Sequence, residues 1–84
     1  GYVASQKDRK AGETMSDQWI HSKAKAALLA NGEVRSSNIN VDVFKGVVSL
    51  RGFVRSEKER KEAVETVREI KGVVAVDDKL ALTP

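Results

Sequence analysis

From Ile20 onward the apolar positions of this chain fall into segments of two distinct periods. Ile20, Ala24, Ala27 and Leu28 lie at i, i+4, i+7 and i+8, one stripe of a helix. Ser16 offers an N-cap, and Asp17 places a negative charge in the first turn, where the helix dipole favours it. Asn31-Gly32 supplies residue types that adopt positive φ at a helix end, so this first helix is expected over 17–30. Residues 1–15 (GYVASQKDRKAGETM) follow neither period and read as a flexible leader, with the folded domain occupying 16–84.

The period then shortens to two. In residues 38–44, Ile39, Val41 and Val43 alternate with Asn40 and Asp42, as in a half-buried strand. Lys45-Gly46 is a tight-turn candidate, with Gly46 supplying the positive φ of a hairpin. Residues 47–54 form the partner strand: Val48, Leu50 and Val54 face one way, Val47, Ser49, Arg51 and Phe53 the other. Gly52 falls on the inward side, where a missing side chain admits a close approach by a helix or marks a bulge. Ser56 and Glu59 have capping-box spacing, and Ala63, Val64, Val67 and Ile70 form the core stripe of a second helix over 57–71, stopped by Gly72. A last strand is expected over 73–82, carrying Val74, Val76, Leu80 and Leu82; Asp77-Asp78 interrupt it and point to an edge or a kink.

The order is therefore α-β-β-α-β. The hairpin is antiparallel, and the crossover through helix two returns the third strand parallel to the second. The expected fold class is α+β, with two helices packed on one face of a three-stranded mixed β-sheet and the other face left to solvent or a partner.

Composition narrows the chemistry. The chain of 84 residues has no Cys and one His, which excludes disulfides, thiolate metal sites, a Cys nucleophile and a His cluster. No metal site, cofactor or catalytic set is expected: Ser36, Ser37 and Ser49 have no base to activate them, and adjacent Asp77 and Asp78 in a strand point to opposite faces. No apolar run approaches the ~18 residues that span a bilayer. The net charge of +3 is local. Residues 57–71 sum to zero, and the excess sits in the leader, in helix one and at Arg51 and Arg55. Such a balance permits anionic partners without demanding them. The chain opens on Gly1 rather than Met, so it reads as processed or trimmed, and its start says nothing about secretion.

Several features together give a resemblance. A helix ends in Leu28-Leu29; Ser36-Ser37-Asn38-Ile39 follows; then comes the block Gly46-Val47-Val48-Ser49-Leu50-Arg51-Gly52-Phe53-Val54. After a Glu-rich helix come Gly72-Val73, Val76 and the closing Leu80 and Leu82. Over residues 16–82 this resembles the BON domain of bacterial osmotically induced and nodulation proteins. The resemblance implies a non-enzymatic envelope protein of Gram-negative bacteria, periplasmic or lipid-anchored to the outer membrane. It implies phospholipid binding in support of membrane integrity under stress, and a second BON domain or other envelope proteins as further partners. A lipidated Cys would lie upstream of Gly1.

Two surfaces are candidates for a function. At about 100° per residue, Trp19, Ala26 and Ala30 lie opposite the core stripe of helix one, with Leu29 beside them and Lys23 on the flank. A Trp beside lysines on a surplus apolar face has the chemistry of interfacial binding to anionic headgroups. Trp19, Lys23, Lys25, Ala26, Leu29 and Ala30 are thus the lipid-binding candidates, although Trp19 would serve equally as a core residue under the leader or at a strand end. The alternative is a protein-interaction patch of Phe44, Arg51 and Phe53 on the open sheet face, unless the Phe rings pack at strand ends or under the leader. His21 reads as a solvated surface residue at a helix start. The element order is also that of KH-like nucleic-acid folds, but no GXXG occurs and no basic stripe interleaves the aromatics, so nucleic acid is not an expected partner.

Overall fold

The computed structural model describes residues 15–83. Helix α1 spans Asp17–Ala30, strand β1 Ile39–Phe44, strand β2 Val47–Val54, helix α2 Glu57–Arg68 and strand β3 Ala75–Leu82. A single 3-10 turn, Ser36–Asn38, leads into β1. The strands run in the order β1-β2-β3, with β1 antiparallel and β3 parallel to β2. This is the expected α+β arrangement. One face of the sheet and both helices enclose a core of Ile20, Ala24, Leu28, Val41, Val48, Leu50, Val54, Ala63, Val67 and Leu80. Met15, the last residue of the segment read as leader, packs half-buried against that core; residues 1–14 lie outside the described residues.

Local chemistry sets the element ends. The Ser16 hydroxyl accepts the Trp19 N–H at 3.0 Å and starts α1. The end of α1 departs from expectation: Asn31 has φ −86° and Gly32 is not among the positive-φ residues. The Asn31 side chain performs the stop instead. Its Oδ1 accepts the Glu33 N–H at 2.9 Å, and its Nδ2 donates to Thr66 Oγ1 at 3.0 Å and Glu62 Oε1 at 3.3 Å, which ties α1 to α2. Helix α2 ends at Arg68, short of 71, because its last turn tightens: Ile70 N–H donates to Val67 O at 3.1 Å. Val73 N–H turns back to Ile70 O at 3.2 Å, so β3 begins two residues later than its apolar pattern suggests.

The hairpin turn places both Lys45 (φ 51°) and Gly46 (φ 83°) in the left-handed region, the geometry whose twist matches the flanking strands. Gly52, at φ 125°, admits a close approach by backbone rather than by either long helix. A Cβ there would sit 2.0 Å from the Asn38 carbonyl oxygen. The outer edge of β3 is guarded. Thr83 N–H donates to Val54 O at 2.9 Å, so by alternation Leu80 turns its backbone away from β2. Asp78 Oδ1 takes the Leu80 N–H at 3.0 Å, and Arg60 donates to the Leu80 carbonyl at 2.9 Å. Strand β3 runs unbroken through Asp77 and Asp78, and Asp78 serves as an edge device.

Candidate functional site

Helix α1 has apolar residues on two sides and uses one for the core. Ile20, Ala24 and Leu28 are buried. On the other side, Trp19 keeps 37% and Leu29 76% of its surface exposed. Lys23, Lys25, Ala26 and Ala30 are exposed with them. The Lys23 ammonium stands 5.4 Å from the centroid of the Trp19 ring, a cation–π pair on the solvent side. The one carboxylate at the start of the helix is occupied elsewhere: Asp17 accepts the N–H groups of Lys45 at 2.7 Å and Gly46 at 3.0 Å. Among the described residues, neither Lys23 nor Lys25 is held in an ion pair.

The six helix-one candidates divide into two groups. Trp19, Lys23 and Ala30 lie along one shoulder. Lys25, Ala26 and Leu29 border a cleft of about 400 Å³, whose far wall includes Ser36, Ser37 and Asn40. These three polar residues were not singled out as a site from the sequence. Ser36 and Ser37 come beside α1 by docking of the 3-10 turn against the helix, for which the local pattern carries no signal, and Asn40 follows them in the edge strand β1. His21 departs from its expected solvated role: it is half-buried, and its Nε2 bonds the Val41 carbonyl at 3.0 Å, fixing α1 to the edge of β1.

The open sheet face carries the second set. Phe44 is 72% and Phe53 52% exposed, so neither packs into a strand end among the described residues. Arg51 lies between them along the sheet and pairs with Asp42. The Lys45 ammonium stands 5.4 Å over the Phe44 ring.

A third cluster is structural. Glu59 is 3% exposed, and its carboxylate accepts the backbone N–H of Arg55 at 2.6 Å, the backbone N–H of Arg35 at 2.7 Å and the Arg55 Nε at 3.1 Å. Burial by itself pushes its pKa up. The Arg55 and Arg35 backbone donors and then the Arg55 side chain outweigh that and hold the carboxyl below its usual range. The capping box is therefore one-sided: Ser56 Oγ accepts the Glu59 N–H at 3.1 Å, while the Glu59 side chain reaches two other strands of chain.

A small two-layer α+β domain whose first helix shows apolar side chains to solvent as well as to the core is the class these features define. The chain belongs to the BON domain family, which matches residues 16–84. It is 41% identical to Osmotically-inducible protein Y of Escherichia coli (strain K12) over 71 residues, covering 84% of this chain and 35% of that protein. It is 31% identical over 64 residues to an uncharacterized protein in the gshII 5' region of Anaplasma centrale, covering 76% of this chain and 42% of that one. The chain thus spans between a third and a half of the length of these relatives. Among solved structures, a structural protein of the Type III secretion system of Chlamydia trachomatis has the same fold, with TM-score 0.73 and 19% identity over 86% of this chain and 34% of that one. Among the described residues, no helix is long and apolar enough to cross a membrane.

Proposed function

We propose that the chain is a non-enzymatic module of the bacterial envelope that binds anionic phospholipid surfaces from the periplasmic side and supports envelope integrity under osmotic stress. The observation that carries this reading is the outer face of α1, where a partly exposed Trp19 lies under the Lys23 ammonium near the start of the helix and a largely exposed Leu29 stands near its end. Trp and Leu enter the headgroup boundary while the lysine stems cover apolar surface and keep their charge in water. Each lysine near an anionic surface contributes about 1 kcal/mol. Two of them with one Trp give weak, reversible attachment, and a lipid anchor upstream of Gly1 would supply the second signal that stable attachment needs. The similarity to an osmotically inducible protein supports the stress setting.

The test uses vesicles of phosphatidylglycerol and phosphatidylcholine at low salt. The expected result is a blue shift of Trp19 fluorescence on the anionic vesicles alone, and loss of co-sedimentation for Trp19→Ala. Unshifted emission together with unchanged sedimentation of the variant would overturn the reading.

A further inference from the structure

The face of the sheet turned away from the helices carries a sequence of rows that complements itself in reverse. Cross-strand register places Phe44, Val47 and Ala75 in one row and Asp42, Ser49 and Asp77 in the next. Asn40, Arg51 and Lys79 form the third row, and Phe53 with Ala81 the fourth. Read along the strands, the face is apolar, acidic, basic, apolar. The two Phe rings stand at opposite ends and are both largely exposed.

We propose that this face pairs with the same face of a second copy of the chain, about a two-fold axis lying in the interface and perpendicular to the strands. An axis along the strands would set the acidic row on itself and the basic row on itself. The perpendicular axis sets acidic on basic and apolar on apolar, twice over, as an isologous contact requires. Asp77 then faces Lys79 of the second copy and the reverse, while Phe53 of each copy lies over Val47, beside Phe44, of the other. The ion pairs already present within one copy, Asp42 with Arg51 and Asp77 with Lys79 at 3.4 Å, join across the contact into one network. Sheets packed in this way keep their strands within about 30° of each other.

Three short strands limit the contact. At ~4.8 Å between strands and ~3.4 Å per residue it buries roughly 400 Å² per copy, below the ~800 Å² per partner of a stable complex. The pairing is therefore weak and concentration-dependent. It is independent of lipid binding, because α1 lies on the other side of the sheet.

Sedimentation equilibrium of the full chain, from about 10 µM to about 1 mM, tests this. The expected result is reversible dimerisation, weakened about tenfold or more by Lys79→Glu, by Asp77→Lys and by Phe53→Ser. All three positions are exposed, so circular dichroism melting should show each variant as stable as the parent. Mixing Lys79→Glu with Asp77→Lys in equal amounts opposes an all-acidic with an all-basic pair of positions and should restore a mixed dimer that neither variant forms alone. A chain that stays monomeric to the top of the range overturns the proposal. So does a dimer indifferent to these substitutions, or a mixture that fails to associate.

Discussion

The carboxylate of Glu59, in the first turn of α2, holds the backbone N–H of Arg35 at 2.7 Å across 24 residues of chain. Arg35 stands just before the turn that opens β1, and Arg55 just after β2. One buried side chain therefore fastens both outer ends of the hairpin to the start of helix two.

Glu59→Gln should lower stability at neutral pH by about 2 kcal/mol, because hydrogen bonds to a charged acceptor are stronger than those to an amide. The acid dependence has a definite sign. The folded pKa is lowered, so the carboxylate's stabilisation is complete above the unfolded glutamate pKa of about 4.3 and is lost as pH falls through the folded value. Urea unfolding at neutral pH and at pH ~3 should show a smaller acid-induced loss in the variant than in the parent. An equal loss in both would assign the acid sensitivity to other groups.

Gly52→Ala meets the Asn38 carbonyl at 2.0 Å at a positive φ, so backbone must move. We expect a cost of about 3 kcal/mol or more, a fall in Tm above ~10 °C for a domain this small. Gly32→Ala has nothing within 4 Å and an ordinary φ, and should leave Tm within a few degrees of the parent. Thermal melts of the pair separate steric need from a general intolerance of replacing glycine.

Asp17→Ala releases two N–H groups at the hairpin tip. The expected cost is about 1–2 kcal/mol. Amide exchange should quicken first at Lys45 and Gly46, the groups left to water. Unchanged exchange there would mean that the turn is held by its own dihedrals alone.

Trp19→Ala should cost roughly 1–3 kcal/mol of folding stability, since more than half of the residue's surface is covered, so its weaker vesicle binding is to be read at a temperature where circular dichroism shows the variant folded. Lys23→Gln and Lys25→Gln should each weaken binding several-fold at low salt and hardly at all at high salt, where screening removes their contribution. Binding that is insensitive to salt would argue against a headgroup role for both lysines.

The parts legible in the chain were those written in local periodicity. Alternation of Ile39, Val41 and Val43 and the stripe of Ile20, Ala24 and Leu28 named the core, and strand β2 came out with its observed ends. What the pattern could not show were long-range polar contacts. Asn31 looked like a helix-ending residue of positive φ but ends α1 through a side chain that bonds Thr66 on α2. Glu59 looked like a capping-box acid and His21 like a surface residue, yet each bonds backbone 20 or more residues away. The outward side chains of α1 were legible because they needed only the helical repeat; the opposite wall of the cleft, Ser36, Ser37 and Asn40, became visible only with the 3-10 turn docked beside them.

The two-layer build has a geometric consequence. The outer side of α1 and the open side of the sheet point in opposite directions, so Trp19 and Phe53 stand on opposite poles of the domain. A molecule lying with Trp19 on a membrane turns its Phe rings and charged rows toward the water. Two molecules resting on one flat bilayer therefore cannot join through those rows. A pair joined through them has four layers, helix, sheet, sheet, helix, and presents its two Trp19 side chains outward on opposite sides, roughly 40 Å apart at ~10 Å per layer. That is the shape of a spacer between two apposed surfaces.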